Sequence, residues 1–203
     1  IISDSLLAKL PPILSRPLII GIVTDNLVSN FGFDKECVVA SGGGDNMMAA
    51  LGTGCVDKGD VTISLGTSGT LFTSTDFVVT DTKKRIAAFS SSHDSYLPLL
   101  CTMNCTVSTE ELRNKLNLSI EEFNQKAQKA PIGACGLIFL PFLNGERVPS
   151  LPKGEAVFGG IKLDNYTTEN ISRAVFEGVS MSLMPGLEAF KELGIEIQRI
   201  ILT

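Results

Sequence analysis

Residues 60–73 read Asp60-Val61-Thr62-Ile63-Ser64-Leu65-Gly66-Thr67-Ser68-Gly69-Thr70-Leu71-Phe72-Thr73, and their pattern is the clearest indication of the architecture. Apolar residues recur at every second position before a short turn of small residues, and another apolar stretch follows it. That pattern predicts two antiparallel strands joined as a β-hairpin. Strand and helix patterns alternate along the rest of the chain, so the class is α/β. The hairpin adds antiparallel pairing, which makes a mixed sheet the expectation.

Further strand signals lie on both sides of the hairpin. Short apolar runs predict buried strands at residues 37–40, 136–141 and 197–203. Residues 96–103 predict another strand. The glycines and prolines between these runs separate the elements from one another.

Helix signals lie before the hairpin and between the later strands. Residues 45–51 predict a short helix, and Ser108 with Glu111, like Ser119 with Glu122, has the spacing of a capping box that opens a helix. The longest helix is expected to begin near Thr168. One of its faces is apolar, at Ile171, Ala174, Val175, Val179 and Leu183. The pair Pro185-Gly186 should kink or break it.

Composition excludes several classes of protein. Hydrophobic residues make up 44% of the 203-residue chain, which is typical of a globular protein. The net charge is -5, and no basic run indicates a nucleic acid or a membrane surface as partner. Residues 1–10 have neither a basic leader nor an uninterrupted apolar core, so no signal peptide is expected. These features predict a cytoplasmic protein that binds neither nucleic acid nor membrane.

Five cysteines occur in the chain: Cys37, Cys55, Cys101, Cys105 and Cys135. Their odd number and mostly apolar surroundings predict reduced, buried side chains. Two of them, four residues apart, could form half of a metal site, but no second pair completes it, so we assign no metal ligand. The single histidine, His93, lies among serines and is expected in a solvated turn.

The first candidate site is the segment Ser41-Gly42-Gly43-Gly44-Asp45-Asn46, between a predicted strand and a predicted helix. Glycines allow a substrate to approach the backbone closely, and the helix dipole favours an ionised carboxylate at the helix N-terminus. Asp45 could therefore accept a proton from a substrate hydroxyl. The alternative is that Asp45 only caps the helix, a role in which Asp is common. A glycine triplet is more than a cap requires.

The second candidate site is the turn of the hairpin, residues 64–70. Backbone N–H groups of a glycine-containing turn, together with two hydroxyl groups, can bind phosphate oxygens. No Lys follows the glycines, so the segment is not a Walker motif. The alternative is an ordinary hairpin turn, in which Gly and Ser are common.

A third candidate is Asn144-Gly145-Glu146-Arg147-Val148-Pro149, which follows a predicted buried strand. Its two charged residues could lie in a cleft. The alternative is a solvated turn that holds a local ion pair of little energetic value.

Taken in order, these segments resemble the FGGY family of carbohydrate kinases. Residues 43–46 are similar to its catalytic segment, residues 64–69 to its second phosphate loop and residues 142–149 to its Gly-Glu-Arg loop. The most specific match is residues 156–177, which resemble the C-terminal signature of the family. The Gly-Gly-Gly-Asp-Asn pattern is closest to members that phosphorylate D-xylulose.

The resemblance implies a ribonuclease-H-like fold of the actin, hexokinase and Hsp70 type, in which two domains flank a cleft. Residues 1–58 would be the C-terminal tail of the first, sugar-binding domain. Residues 59–203 would be the N-terminal part of the second, nucleotide-binding domain. The fold would therefore be incomplete in this chain.

The resemblance also implies a reaction, the transfer of the γ-phosphoryl group of ATP to D-xylulose, with Mg²⁺ accompanying the nucleotide. Asp45 would act as the general base and contact the sugar, and Asn46 would hydrogen-bond the sugar. Gly66, Thr67 and Ser68 would contact the phosphates. Small molecules would then be the partners, and association into a homodimer stays open.

The resemblance implies that two parts of the active site lie outside these residues. The first phosphate loop of the family, an Asp-Gly-Thr segment, and its glycine-rich adenosine loop are not among the 203 residues. We therefore expect the polypeptide alone to be inactive. Three alternatives stay open: a kinase for another sugar, a non-catalytic protein that binds sugar or nucleotide, and an actin-like or Hsp70-like nucleotide-binding module without a sugar site.

Overall fold

The structure is a computed structural model that describes Leu6, residues 8–10 and residues 18–203. Residues 1–10, on which the expected absence of a signal peptide depends, lie mostly outside the described part. The strands of the described part are β1 (Ile19–Ile22), β2 (Val38–Ala40), β3 (Asp60–Leu65), β4 (Gly69–Thr73), β5 (Ala87–Ser90), β6 (Tyr96–Cys101), β7 (Ile138–Leu140), β8 (Val157–Gly159) and β9 (Arg199–Leu202). Its helices are α1 (Asp25–Phe31), α2 (Asp45–Gly52), α3 (Thr106–Lys115), α4 (Ile120–Lys129), α5 (Thr168–Met181) and α6 (Met184–Glu192), with a short 3-10 helix at Ala134–Gly136.

A five-stranded sheet in the order β5-β6-β4-β3-β9 forms the centre of the molecule. The predicted hairpin is confirmed, since β3 pairs antiparallel with β4 and Leu65 lies opposite Gly69. On its other side β3 pairs parallel with β9, so the sheet is mixed, as expected. The pairs β1-β2 and β7-β8 form two separate two-stranded sheets.

Alternating side chains place core residues on both faces of the central sheet. On one face, Val61, Leu71 and Leu100 pack with Phe190 of α6, and all four are buried. On the other face, Phe72 of β4 packs with residues of β6 and with Ala50 of α2. The period-two pattern of the strands thus distributes apolar side chains to a helix on each side.

Three strands that were expected to be buried are present but largely exposed. All residues of β2 are exposed, as are three of the four residues of β9, and in β7 only Phe139 is buried. The burial prediction is therefore wrong for these strands. The reason is their position: β2 and β7 belong to two-stranded sheets, and β9 is an edge strand of the central sheet.

One of the two predicted capping boxes is confirmed. The Ser119 hydroxyl oxygen accepts a hydrogen bond from the Glu122 N–H at 3.2 Å, and the Glu122 carboxylate accepts one from the Ser119 N–H at 2.8 Å. The box predicted at Ser108 is wrong, because α3 already begins at Thr106 and Ser108 is a buried residue inside the helix. The hairpin sets this helix start, since the Thr106 N–H donates to the Gly66 carbonyl.

The longest helix matches its prediction. It begins at Thr168, and the Thr167 hydroxyl oxygen accepts a hydrogen bond from the Asn170 N–H at 3.3 Å. All five residues of the predicted apolar face are buried, but only four lie in this helix, because Leu183 follows its last residue, Met181. Pro185 lies in the first turn of a separate helix, α6, which confirms the predicted break.

The cysteine and histidine expectations are confirmed only in part. All five cysteines are free, and Cys55 and Cys105 are buried, but Cys135 is exposed. His93 is half-buried instead of solvated, and its Nε2 atom lies 3.2 Å from the carbonyl oxygen of Val56. Within the described residues, no helix combines the length and apolar character needed to cross a membrane.

A partly buried ion pair links the segment between β4 and β5 to α6. The Asp81 carboxylate, whose side chain is only 3% exposed, accepts hydrogen bonds from the N–H groups of Arg85 and Ile86 and from the Arg85 guanidinium. The same guanidinium donates to Glu192 at 2.7 Å. The hydrogen bond from the Arg85 side chain is the main cause that lowers the pKa of Asp81 to about 2.

This pair predicts a pH dependence of stability. The pKa of Asp81 is lower in the folded protein than the value of about 3.9 expected in the unfolded chain, so the ion pair stabilises the fold fully above about pH 4. That stabilisation is lost as the pH falls toward the folded pKa of about 2. We expect Asp81→Asn to lower the free energy of unfolding by about 2 kcal/mol at pH 7, measured by urea denaturation.

The difference between Asp81→Asn and the unsubstituted chain should shrink between about pH 4 and pH 2. Asp76→Asn is the matched control, since Asp76 pairs with Lys58 on the surface and both side chains are more than half exposed. It should change stability less than Asp81→Asn. A difference at Asp81 that stays constant down to about pH 2 would contradict this account.

Candidate functional site

The first candidate residue, Asp45, is the first residue of α2 and is exposed. The helix cap is Gly44, with extended backbone angles (φ -68°, ψ 159°), so the alternative that Asp45 is the N-cap is wrong. The Asp45 carboxylate accepts hydrogen bonds from the backbone N–H of Asn46 at 2.8 Å and from its side-chain amide at 3.3 Å. An exposed carboxylate and an amide thus lie side by side at a helix N-terminus.

The glycines before Asp45 meet specific steric requirements. Gly42 has a φ of +71°, a conformation that favours glycine. A Cβ atom on Gly43 would overlap the hydroxyl oxygen of Ser92 and lie 2.6 Å from the terminal carbon of Met48. The glycine segment therefore packs directly against the loop between β5 and β6.

The C-terminal end of α2 is fixed on the central sheet. The hydroxyl groups of Thr53 and Thr62 are 2.9 Å apart, and the Cys55 thiol donates to the carbonyl of Asp60 at 3.1 Å. Ala50 of the helix is 1% exposed and belongs to the core on that face of the sheet. The helix that carries Asp45 is therefore anchored to β3 through the residues that follow its C-terminal end.

The second candidate is the turn between β3 and β4, where Gly66 and Thr67 are exposed and Ser68 is half-buried. Its carbonyl groups are engaged: Gly66 accepts from the Thr106 N–H at 2.9 Å, and Thr67 accepts from the Cys105 N–H at 3.0 Å. Within residues 18–203, the backbone N–H groups of residues 66–68 donate no hydrogen bond. The turn therefore offers three adjacent N–H donors and two hydroxyl groups, which suit an anion.

A polar segment after β6 supports this turn. The Thr102 hydroxyl oxygen accepts from the Gly69 N–H at 3.1 Å, and the Thr102 N–H donates to the Gly69 carbonyl at 2.8 Å. Sequence reasoning missed Thr102 and Asn104, both of which are fully buried. Their only signal in the sequence is that two polar residues follow an apolar strand.

The third candidate, the loop at residues 144–149, is not a solvated turn with a local ion pair. Glu146 is 4% exposed, and its carboxylate accepts from three N–H donors, none of them on the side chain of Arg147. Arg147 is exposed, and its guanidinium donates to the thiol sulfur of Cys101 at 3.1 Å. Cys101 lies opposite Thr70 in the sheet, so this loop reaches the end of β6 nearest the turn.

The described residues do not bring the candidate sites into direct contact. No hydrogen bond within residues 18–203 links Asp45 or Asn46 to the turn at residues 66–68. Nor does any group of three or more His, Cys, Asp or Glu side chains in the described part form a potential metal site. The exposed carboxylate of Asp45 and the turn with free N–H donors are therefore separate features of the described part.

A comparison with known families identifies the part of the chain that contains the turn at residues 66–68. A model of the C-terminal domain of the FGGY family of carbohydrate kinases matches residues 61–203. The chain belongs to the FGGY family. The match includes the hairpin, its turn, the loop at residues 144–149 and the helices α3 to α6 of this FGGY chain. The division at residues 58 and 59 into two domains stays a prediction.

Individual relatives agree with the family. A xylulose kinase from Haemophilus influenzae is 46% identical over 191 residues, which are 94% of this chain and 39% of that relative. The crystal structure of a xylulose kinase from Bifidobacterium adolescentis has 38% identity and a TM-score of 0.74, over 84% of this chain and 33% of that one. A xyloylose kinase from Brucella ovis, at 24% identity, shows the fold alone, with a TM-score of 0.87 over 99% of this chain and 43% of that one.

These comparisons confirm the expected ribonuclease-H-like, actin-type α/β fold. This FGGY chain spans about 39% of the length of the Haemophilus relative.

Proposed function

We propose that this chain supplies the catalytic base and the second phosphate loop of an ATP-dependent kinase that converts D-xylulose to D-xylulose 5-phosphate. The observation that carries the proposal is the turn after β3. Its carbonyl groups bond to residues 105 and 106, while three consecutive N–H groups have no acceptor within residues 18–203. Such an array of donors fits the phosphates of a nucleotide.

Gly66, Thr67 and Ser68 are the residues that would bind the β- and γ-phosphates. Mg²⁺, when bound with the nucleotide, would neutralise the charge that develops on the phosphates. The ion would be held mainly by phosphate oxygens and water. This chain would contribute hydrogen-bond donors to the phosphates, and the ion would accompany the nucleotide.

Asp45 would act on the sugar. A terminal hydroxyl oxygen of the ketose attacks the γ-phosphorus, the bond to the bridging oxygen of ADP breaks, and the hydroxyl proton moves to the Asp45 carboxylate. The side-chain amide of Asn46 lies beside that carboxylate, at 3.3 Å, where it can hydrogen-bond the same sugar. Because Asp45 and the turn share no direct contact, the substrates would occupy the space between them, and closure of the cleft would align them.

Three observations support a ketose, and D-xylulose in particular. The sequence Gly-Gly-Gly-Asp-Asn at residues 42–46 has the pattern of D-xylulose-phosphorylating members. The Haemophilus relative, at 46% identity, and the Bifidobacterium structure, at 38%, are both xylulose kinases by name. A kinase for another sugar and a non-catalytic binding protein are the outcomes that the experiment below separates.

The experiment is a chimera in which the matching 191 residues of the Haemophilus relative are exchanged for the residues of this chain. ADP release is followed with D-xylulose, D-ribulose, D-gluconate and glycerol as acceptors. We expect turnover with D-xylulose at roughly 1–100 s⁻¹, as is typical of kinases. The 203-residue chain alone should show none, since it corresponds to 39% of the length of the Haemophilus relative.

The unsubstituted Haemophilus protein is the control for the assay. If turnover were faster with another acceptor, that sugar would be the substrate and not D-xylulose. A folded chimera that binds ATP and releases no ADP with any acceptor would favour the non-catalytic alternative. Turnover of D-xylulose by the 203-residue chain alone would contradict the view that it holds half of the active site.

A further inference from the structure

A buried carboxylate lies next to the segment that supports the phosphate-binding turn. The Oε1 atom of Glu146 accepts hydrogen bonds from the backbone N–H groups of Met103 at 2.6 Å and Arg147 at 2.7 Å. Its Oε2 atom accepts from the side-chain amide of Asn104 at 3.0 Å. Glu146 is 4% exposed, and a buried carboxylate is costly unless donors surround it, as they do here.

Asn104 adds two further hydrogen bonds to the same loop. Its side-chain amide donates to the carbonyl of Gly145 at 2.7 Å, and its side-chain oxygen accepts from the Asn144 N–H at 3.3 Å. Asn104 has no exposed surface. The amide therefore cannot turn over without breaking both contacts, and its donor toward Glu146 is fixed.

The segment of residues 102–106 also makes hydrogen bonds to the turn between β3 and β4. Five hydrogen bonds join residues 102–106 to residues 66–69. The N–H and the hydroxyl of Thr102 each donate to the Gly69 carbonyl, the Gly69 N–H donates to the Thr102 hydroxyl oxygen, and the N–H groups of Cys105 and Thr106 donate to the carbonyls of Thr67 and Gly66. The turn carbonyls are engaged only through this segment in the described part. The direction of the three N–H groups of the turn thus depends on residues 102–106. Glu146 binds this segment through Met103 and Asn104, on the side away from the turn.

We infer that Glu146 is a positioning residue for the phosphate-binding turn at residues 66–68 and acts through Met103 and Asn104. The inference rests on the proposed function of that turn. Glu146 itself touches no substrate. Its contribution is geometric: a shift of about 1 Å in groups that bind a reacting substrate can cost 10²-fold in rate.

The variant Glu146→Gln removes one of these hydrogen bonds, the one between the side chains of Glu146 and Asn104. The carbonyl oxygen of glutamine can keep the N–H groups of Met103 and Arg147. Its NH₂ group then faces the Asn104 amide, donor against donor, so the hydrogen bond at 3.0 Å is lost. Asn104→Ala removes the same bond from the other side and tests it if Glu146→Gln fails to fold.

Glu177→Gln is the matched control. The Glu177 carboxylate also accepts from a backbone N–H, that of Gly133 at 2.9 Å, and from the Arg173 guanidinium at 2.6 Å. It fastens a different loop, which makes no hydrogen bond to residues 66–69 or 102–106 in the described part. A general loss of stability should therefore appear in both glutamine variants, whereas a loss of turn geometry should appear only in Glu146→Gln.

The kinetic test uses the chimera and varies ATP and D-xylulose separately. We expect Glu146→Gln and Asn104→Ala each to lower kcat/KM for ATP about 10- to 100-fold, with KM for D-xylulose unchanged. The double variant should lose less than the sum of the two single variants, because each of them already removes the bond between Glu146 and Asn104. Glu177→Gln should leave both KM values unchanged. A role in stability alone would not separate the two substrates.

A second measurement is independent of activity and uses the 203-residue chain itself. Hydrogen exchange at the amides of Cys105 and Thr106, which donate to the turn, should become faster in Glu146→Gln and not in Glu177→Gln. Unchanged exchange, or kinetics that match those of Glu177→Gln, overturns the inference and leaves the proposed function intact. An unsubstituted chimera without sugar-dependent ADP release overturns the proposed function, and the inference with it.

Discussion

Asp45→Asn in the chimera is expected to lower kcat with D-xylulose by about 10²- to 10⁴-fold, the usual contribution of a general base. The variant keeps the size of the side chain and the acceptor for the Asn46 N–H, but it cannot take up the hydroxyl proton. Binding of ATP should be unaffected, since no hydrogen bond within residues 18–203 joins Asp45 to the turn. Turnover is measured by ADP release and nucleotide binding by calorimetry.

Asp25→Asn is the matched control for this variant. Asp25 is the first residue of α1, as Asp45 is of α2, and both are exposed and follow a cap residue in extended conformation. A role in helix stability would give the two variants similar effects. A loss below about tenfold at Asp45, or an equal loss in both variants, would argue against the base.

Gly178→Ala is expected to lower the free energy of unfolding by about 3 kcal/mol, at the upper end of what overpacking usually costs. Gly178 lies in α5 where the helix crosses β7, and a Cβ atom there would overlap the carbonyl oxygen of Phe139. A backbone carbonyl cannot rotate away as a side chain can, so the helix and the strand would have to separate. Urea denaturation of the 203-residue chain measures the change.

Gly52→Ala provides the comparison within the same chain. Gly52 is the last residue of α2, and a Cβ atom there would meet no atom within 4 Å. Alanine favours helix over glycine by up to about 1 kcal/mol, so this variant should be neutral or slightly stabilising. If the two alanine variants destabilised the chain equally, the close approach of α5 to Phe139 would not be the cause.

Local patterns were sufficient to predict the elements that position the candidate site. The alternation at residues 60–73 predicted the hairpin, because each face of those strands packs against a separate core. The apolar face of α5 was predicted from its helical spacing, and its members Ile171, Ala174, Val175 and Val179 are buried. Ser119 and Glu122 form a capping box because both partners lie within one turn of helix. Each of these features depends on residues close together in the sequence.

Features that depend on distant residues escaped prediction. Ser108 and Glu111 have the same spacing as a capping box, yet carbonyl groups of the hairpin, about 40 residues earlier, determine where α3 begins. The burial of Glu146 depends on donors at Met103 and Asn104, more than 40 positions away. No local pattern distinguishes such a carboxylate from one on a solvated turn. The positions of β7 and β9 at sheet edges, likewise, follow from topology.

A crystal structure of the chimera with ADP and D-xylulose bound would show both halves of the proposed site at once. We expect the N–H groups of residues 66–68 to donate to the β-phosphate of ADP. We also expect the Asp45 carboxylate to lie within about 3.2 Å of a terminal hydroxyl oxygen of the sugar, the reach of a general base. A nucleotide bound away from the turn, or a sugar with no hydroxyl near Asp45, would contradict the proposed function.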